Sequence, residues 1–100
     1  MKLETILTRY KTIGYNSIGL DRDLETASII KWIYEKYDIY ITTSFIKFGP
    51  NKFTFTFHKI INPKSYYSQS YFGDKNFNTP YDALYDGIIN AYKPLKLIKK

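Results

Sequence analysis

The chain contains no cysteine and only one histidine, one methionine and one tryptophan. Without cysteine there is no disulfide framework, no thiolate nucleophile and no thiolate metal site. With one histidine, any Ser/His/acid set would have to use His58. That residue alternates with phenylalanines on a strand-like segment, and no sharp strand-to-helix nucleophile turn accompanies it. Glycine is also sparse: Gly14 and Gly19 lack the spacing of a phosphate-cradling loop. No apolar run approaches the roughly 20 residues that a membrane-spanning helix needs. The first residues, Met1-Lys2-Leu3-Glu4-Thr5, lack a basic segment followed by an apolar one, so no secretory signal and a cytoplasmic location are expected. These absences argue against an enzyme, and neither a cofactor nor a metal site is expected.

Arginine is scarce as well, at 2 against 13 lysines, while tyrosine reaches 11. Lys, Ile, Asn, Tyr and Phe make up 51 of the 100 residues, and Ala, Gly, Pro and Arg only 14. The first set uses AT-rich codons and the second GC-rich ones, so genome composition accounts for much of the tyrosine and lysine enrichment. The net charge of +6 is unevenly placed. Residues 93–100 hold Lys93, Lys96, Lys99 and Lys100 and no acid, which leaves 11 basic and 9 acidic residues in the remainder. The sequence therefore reads as one domain over 1–100, ending in a short basic tail at 93–100 whose four lysines are the candidate phosphate contacts.

Apolar periodicity supplies the elements. Leu3, Ile6, Leu7 and Tyr10 form the stripe of a first helix that Gly14 stops. A second helix over 24–37 has Asp23 as its cap and Glu25 in its first turn, and it carries Ala27, Ile30, Ile33, Tyr34 and Tyr37 on one face. After Asp38 the period changes to two. Ile39, Ile41, Thr43 and Phe45 alternate with Tyr40, Thr42, Ser44 and Ile46, and after a Gly49-Pro50-Asn51-Lys52 turn, Phe53, Phe55 and Phe57 alternate with Thr54, Thr56 and His58. A turn at Asn62-Pro63-Lys64 leads to a third strand over Tyr66–Phe72. Thr79-Pro80 then opens a last helix with the stripe Tyr81, Leu84, Tyr85, Ile88 and Tyr92, ended by Pro94. Gly87 would let that helix cross close over the sheet.

The expected architecture is α+β: a two-layer sandwich of a three-stranded antiparallel meander with helices packed on one face, in the order α-α-β-β-β-α. The first helix would pack along the edge of that core or join a second copy, giving a monomer or a homodimer. On the uncovered sheet face, Tyr40, Thr42, Thr54, Thr56 and His58 form a candidate protein-contact surface. The carboxylates Asp21, Asp23 and Glu25 are explained by capping, and Asp82 and Asp86 by an exposed helix face.

Two resemblances accompany this reading. The helix–strand–strand–strand–helix order over residues 24–92 resembles the double-stranded-RNA-binding domain. Gly49-Pro50-Asn51-Lys52-Phe53-Thr54-Phe55 is similar to that family's Gly-Pro turn into a Phe-containing second strand. That family's last helix begins with a phosphate-gripping lysine cluster, whereas this one begins Asn78-Thr79-Pro80-Tyr81-Asp82. The segment Ile30-Lys31-Trp32-Ile33-Tyr34-Glu35-Lys36-Tyr37-Asp38-Ile39-Tyr40-Ile41 resembles a helix-to-strand signature of small uncharacterised accessory proteins of Bacteroidetes phages and mobile elements. Phe77-Asn78-Thr79-Pro80-Tyr81-Asp82-Ala83-Leu84 with Ile88-Ile89 is similar to their last helix, and Ile13-Gly14-Tyr15 to the end of their first. This second resemblance implies an origin and a fold and transfers no catalytic residue. The expectation is a small non-enzymatic accessory protein that binds a host or phage protein; the alternative is a nucleic-acid-binding domain.

Overall fold

The computed structural model of the chain describes residues 1–19, 21–45, 51–62, 67–73 and 75–98, with 60–62 and 67–72 described through their backbone alone. The class is α+β. Helix α1 spans Leu3–Thr12 and α2 spans Arg22–Tyr37; strands β1 (Ile39–Phe45), β2 (Phe53–Asn62) and β3 (Tyr67–Phe72) precede α3 (Pro80–Leu95). The strands pair antiparallel in the order β1-β2-β3. Thr42 stands opposite Thr56 in the first ladder and His58 opposite Ser70 in the second, which shifts register between Ile60 and Asn62. Gly49, Pro50, Pro63, Lys64 and Tyr66, placed in turns or at a strand start from the sequence, lie outside the described residues.

The period-two alternation sets which strand residues meet the helices. Ile41 and Phe55 point into the helical layer and are buried; Phe53 and Phe57 on the same side are half-buried. Helix α3 crosses them at Gly87, where an added Cβ would lie 2.9 Å from Ile41 Cγ2 and 3.1 Å from Phe55 Cβ. That close approach explains a correction to the expected stripe. The buried face of α3 is Ala83, Gly87, Ile88, Ala91 and Leu95, while Tyr81 is exposed. Small side chains let the helix backbone sit near the sheet, and the bulky Leu84, Tyr85 and Tyr92 pack at its flanks.

Pro94 does not end the last helix as expected; it lies inside it, and the cap is Lys96. Proline removes one interior hydrogen bond at a cost of about 3 kcal/mol. The cost is offset one residue on, where Leu95 is only 1% exposed in the core. Residues 93–95 are thus the end of a packed helix rather than a tail, and Ile98 also packs on the core.

Helix α2 starts earlier than expected. Asp21, not Asp23, is its cap, accepting from the Leu24 amide at 3.0 Å. Its buried face runs through Glu25, Thr26, Ile29, Ile33 and Tyr37, which leaves Ala27 and Tyr34 exposed. Lys36 donates to the Ile13 carbonyl at 2.7 Å and lies 4.9 Å from the Trp32 ring centre, tying the end of α1 to α2. Gly14 takes a left-handed φ of 109° at the turn after α1, as a helix stop requires. The apolar stripe of α1 is used within the chain: Ile6 and Tyr10 are buried, and the Tyr10 hydroxyl donates to the Ile88 carbonyl at 2.6 Å.

Glu25 is fully buried. Its carboxylate accepts from Tyr15 Oη at 2.7 Å, Ser17 Oγ at 2.6 Å, the Ile18 amide at 3.1 Å and the Gly19 amide at 2.8 Å. One side chain therefore fastens the loop after α1 onto the first turn of α2, where the helix dipole also favours negative charge. Burial pushes the Tyr15 phenol up to about 12, with Ser28 opposing the rise and Glu25 adding to it. Burial also holds Tyr10 well above the ordinary tyrosine range, reinforced by Tyr37 and Tyr92. The unfolded chain releases these protons near pH 10, before the folded chain does. Stability is then fully present below about pH 10 and falls as pH rises further, by up to about 1.4 kcal/mol per pH unit for each phenol. Urea denaturation at steps between about pH 8 and 12 checks this; a constant midpoint would contradict it.

Candidate binding surface

The face of β1 and β2 turned away from the helices carries the residues singled out for contact. Three cross-strand pairs lie on it: Tyr40 with His58, Thr42 with Thr56, and Ser44 with Thr54. The structure brings these residues together but does not expose them all. Thr54 and Thr56 are buried, at 2% and 1% exposure, which corrects their assignment to a wet surface. Thr54 Oγ1 donates to the Lys75 carbonyl at 2.9 Å and lies 3.3 Å from the Gly73 carbonyl, where the chain after β3 folds against β2. Phe77 then pairs with Phe53, exchanging two backbone hydrogen bonds of 2.9 and 2.7 Å. The Thr56 hydroxyl lies 2.6 Å from Ser44 Oγ. A threonine hydroxyl satisfied in this way costs little to bury.

Tyr40, Thr42 and His58 remain as accessible members. Thr42 Oγ1 sits 3.2 Å from His58 Nε2, which anchors the imidazole on the sheet. A fourth member comes from α2. Tyr34 stacks on Tyr40 with ring centres 4.2 Å apart, and the two rings stay 40% and 39% exposed. The hydrogen bond with Tyr34 raises the Tyr40 phenol, with partial desolvation and the charge of Asp38 adding to it. Tyr34 is missed in the sequence because its spacing assigns it to the apolar face of α2, whereas it is 40% exposed. The signal that could have found it is Asp38, whose left-handed φ of 56° turns the chain from α2 straight into β1.

The lysines belong elsewhere. Lys93 and Lys96 are exposed at the C-terminal end of α3, and Lys96 Nζ lies 5.8 Å from the Tyr92 ring centre. They sit on the helical layer, across the sheet from Tyr40 and His58, so the two candidate sets do not form one patch. Lys99 and Lys100 lie outside the described residues.

A groove of about 430 Å³ runs beside α3, lined by Met1, Arg22, Lys75, Phe77, Asp82 and Tyr85 among others. Its charges serve the fold. Arg22 pairs with Asp23 and Asp82, both at 2.9 Å, and its guanidinium lies 5.1 Å from the Tyr85 ring centre. Burial works against the Arg22 charge, but the two aspartates outweigh it and hold the guanidinium protonated. Asp86 accepts from Asn90 Nδ2 at 3.2 Å. Among the described residues no three His, Asp or Glu side chains come together as a metal site, and no helix is long and apolar enough to cross a membrane.

Comparison with protein-family models, with curated proteins and with solved structures finds no match for this chain.

Proposed function

We propose that the chain is a small non-enzymatic accessory protein of a phage or mobile element, acting in the bacterial cytoplasm by binding a host or phage protein. One observation carries the reading: the stacked Tyr34–Tyr40 pair stays about 40% exposed beside Thr42 and His58. Two stacked tyrosines are already ordered before any partner arrives. They offer large contact area at low entropic cost, which is why tyrosine is enriched where protein interfaces concentrate their energy.

The rival is a nucleic-acid-binding domain with the double-stranded-RNA-binding order of elements. It would need cations converging on one face. Instead, Lys93 and Lys96 stand apart from the sheet face, and α3 opens with Pro80, Tyr81 and Asp82. Titration of duplex and single-stranded RNA and DNA between about 50 and 200 mM salt separates the two, because each phosphate contact steepens the loss of affinity with salt. Weak, sequence-blind binding is expected, and a Lys93→Glu/Lys96→Glu variant should abolish it. That variant is preferable to truncation at 93, which would also remove Leu95 from the core. Sub-micromolar affinity at about 200 mM salt that survives the charge reversal would overturn the protein-partner reading.

A further inference from the structure

The open edge of β1 is a site of a different kind from the side-chain surface above. Strand β1 is at one end of the sheet order and pairs only with β2 among the described strands. It is seven residues long, reads Ile-Tyr-Ile-Thr-Thr-Ser-Phe, and holds an unbroken register with its neighbour. Edge strands are normally protected by charge, proline, a bulge or a covering segment, because their free amides and carbonyls template further pairing. Among these seven residues there is no charge, no proline and no bulge. Phe45, at the end of the edge, is 52% exposed.

We propose that this edge pairs antiparallel with the β1 edge of a second copy of the chain, about a two-fold axis at Thr42. Self-complementarity of the strand selects the second copy as occupant. Centred on Thr42, the register sets Thr42 against the other copy's Thr42, Phe45 against Ile39, Ile41 against Thr43, and Tyr40 against Ser44. These are Thr–Thr, aromatic–β-branched and β-branched–β-branched contacts, the cross-strand pairs that stabilise a sheet. Phe45 gains a cover on the helical side, and a one-residue slip would turn Ile39 and Phe45 to the wrong face. Six strands would then form one sheet, with the two Tyr40–His58 faces running on from each other. The contact is small, so the dimer is concentration-dependent. Each copy carries a net charge of +6 while the edge itself is neutral, so salt should strengthen association by screening. This is opposite in sign to phosphate binding.

The inference does not depend on the proposed function, and its test is separate. Light scattering between about 1 μM and 1 mM should show the mass rising from 11.9 kDa toward twice that value, and rising further with added salt. Because the chain has no cysteine, a single introduced one reports without background. Opposed residues at such a pair have Cβ atoms about 4.5–5.5 Å apart, within reach of a disulfide after slight adjustment. Thr42→Cys should therefore oxidise to a covalent dimer at least about tenfold faster than Lys93→Cys on the exposed end of α3. Thr42→Lys, which places two cations on the axis, should stay monomeric while melting like the wild type. A mass constant at 11.9 kDa overturns the proposal. So does a dimer that Thr42→Lys leaves intact, or in which Thr42→Cys cross-links no faster than Lys93→Cys.

Discussion

Replacing Glu25 by alanine is expected to cost about 3–5 kcal/mol, the range for removing one member of a buried charged network. The carboxylate is fully buried and accepts from two hydroxyls and two backbone amides. Alanine leaves those donors facing a hole, and each one that stays buried costs about 1–3 kcal/mol. For a small domain whose total stability lies near the low end of the usual range, about 5 kcal/mol, that loss would leave a large unfolded fraction. Glu25→Gln keeps the volume and one acceptor and should lose about half as much. Urea midpoints measure both. Hydrogen exchange adds a local readout: the Ile18 and Gly19 amides should lose protection in Glu25→Gln before the sheet does. Equal protection in the two proteins would contradict the fastening role.

Phe55→Ala is the second large expected loss, about 3–5 kcal/mol. The ring is 4% exposed, stacks on Phe57 at 4.8 Å between centres, and underlies the crossing of α3 at Gly87. On its other flank, a Cβ at Gly73 would come within 2.6 Å of Phe55 Cε1. With backbone pressed close on both sides, the hole cannot fill by a small side-chain shift, so the cost should lie toward the upper end of that range. Phe45→Ala is the matched comparison: the same residue type, but 52% exposed. It should lose about 1 kcal/mol or less. Similar losses at the two positions would show that the core is not centred where Phe55 places it.

The α+β class was legible because the apolar period changes twice, from helical spacing to alternation after Asp38 and back to helical spacing after Thr79. The alternation also correctly assigned Ile41 and Phe55 to the helical side of the sheet. What escaped the sequence depended on contacts distant along the chain. Asp21 and Asp23 are equivalent caps by residue type, and the loop that captures Glu25 decides between them. In α3, hydrophobicity picks out Tyr81 and Tyr92, whereas the sheet selects for small size and takes Ala83, Gly87 and Ala91. Pro94 reads as a stop until Leu95 is seen in the core. Thr54 and Thr56 read as wet because they are polar, yet carbonyls at Gly73 and Lys75 and the Ser44 hydroxyl satisfy them. Of the proposed surface, Tyr40, Thr42 and His58 were visible from alternation alone. Tyr34 was not, because its ring leaves the helical stripe to stack across onto the strand.

Binding through the tyrosine surface is the central claim, and capture from bacterial host lysate with matched variants tests it most directly. Tagged wild-type chain is compared with Tyr40→Ala/His58→Ala, a pair of substitutions that leaves Thr42 at the centre of the β1 edge and the α3 lysines unchanged. The expected result is one protein retained in stoichiometric amount by the wild type at about 200 mM salt. The variant should bind it at least about tenfold more weakly while melting at the wild-type temperature. Equal retention by both proteins, or recovery of nucleic acid in place of a protein, would contradict the claim.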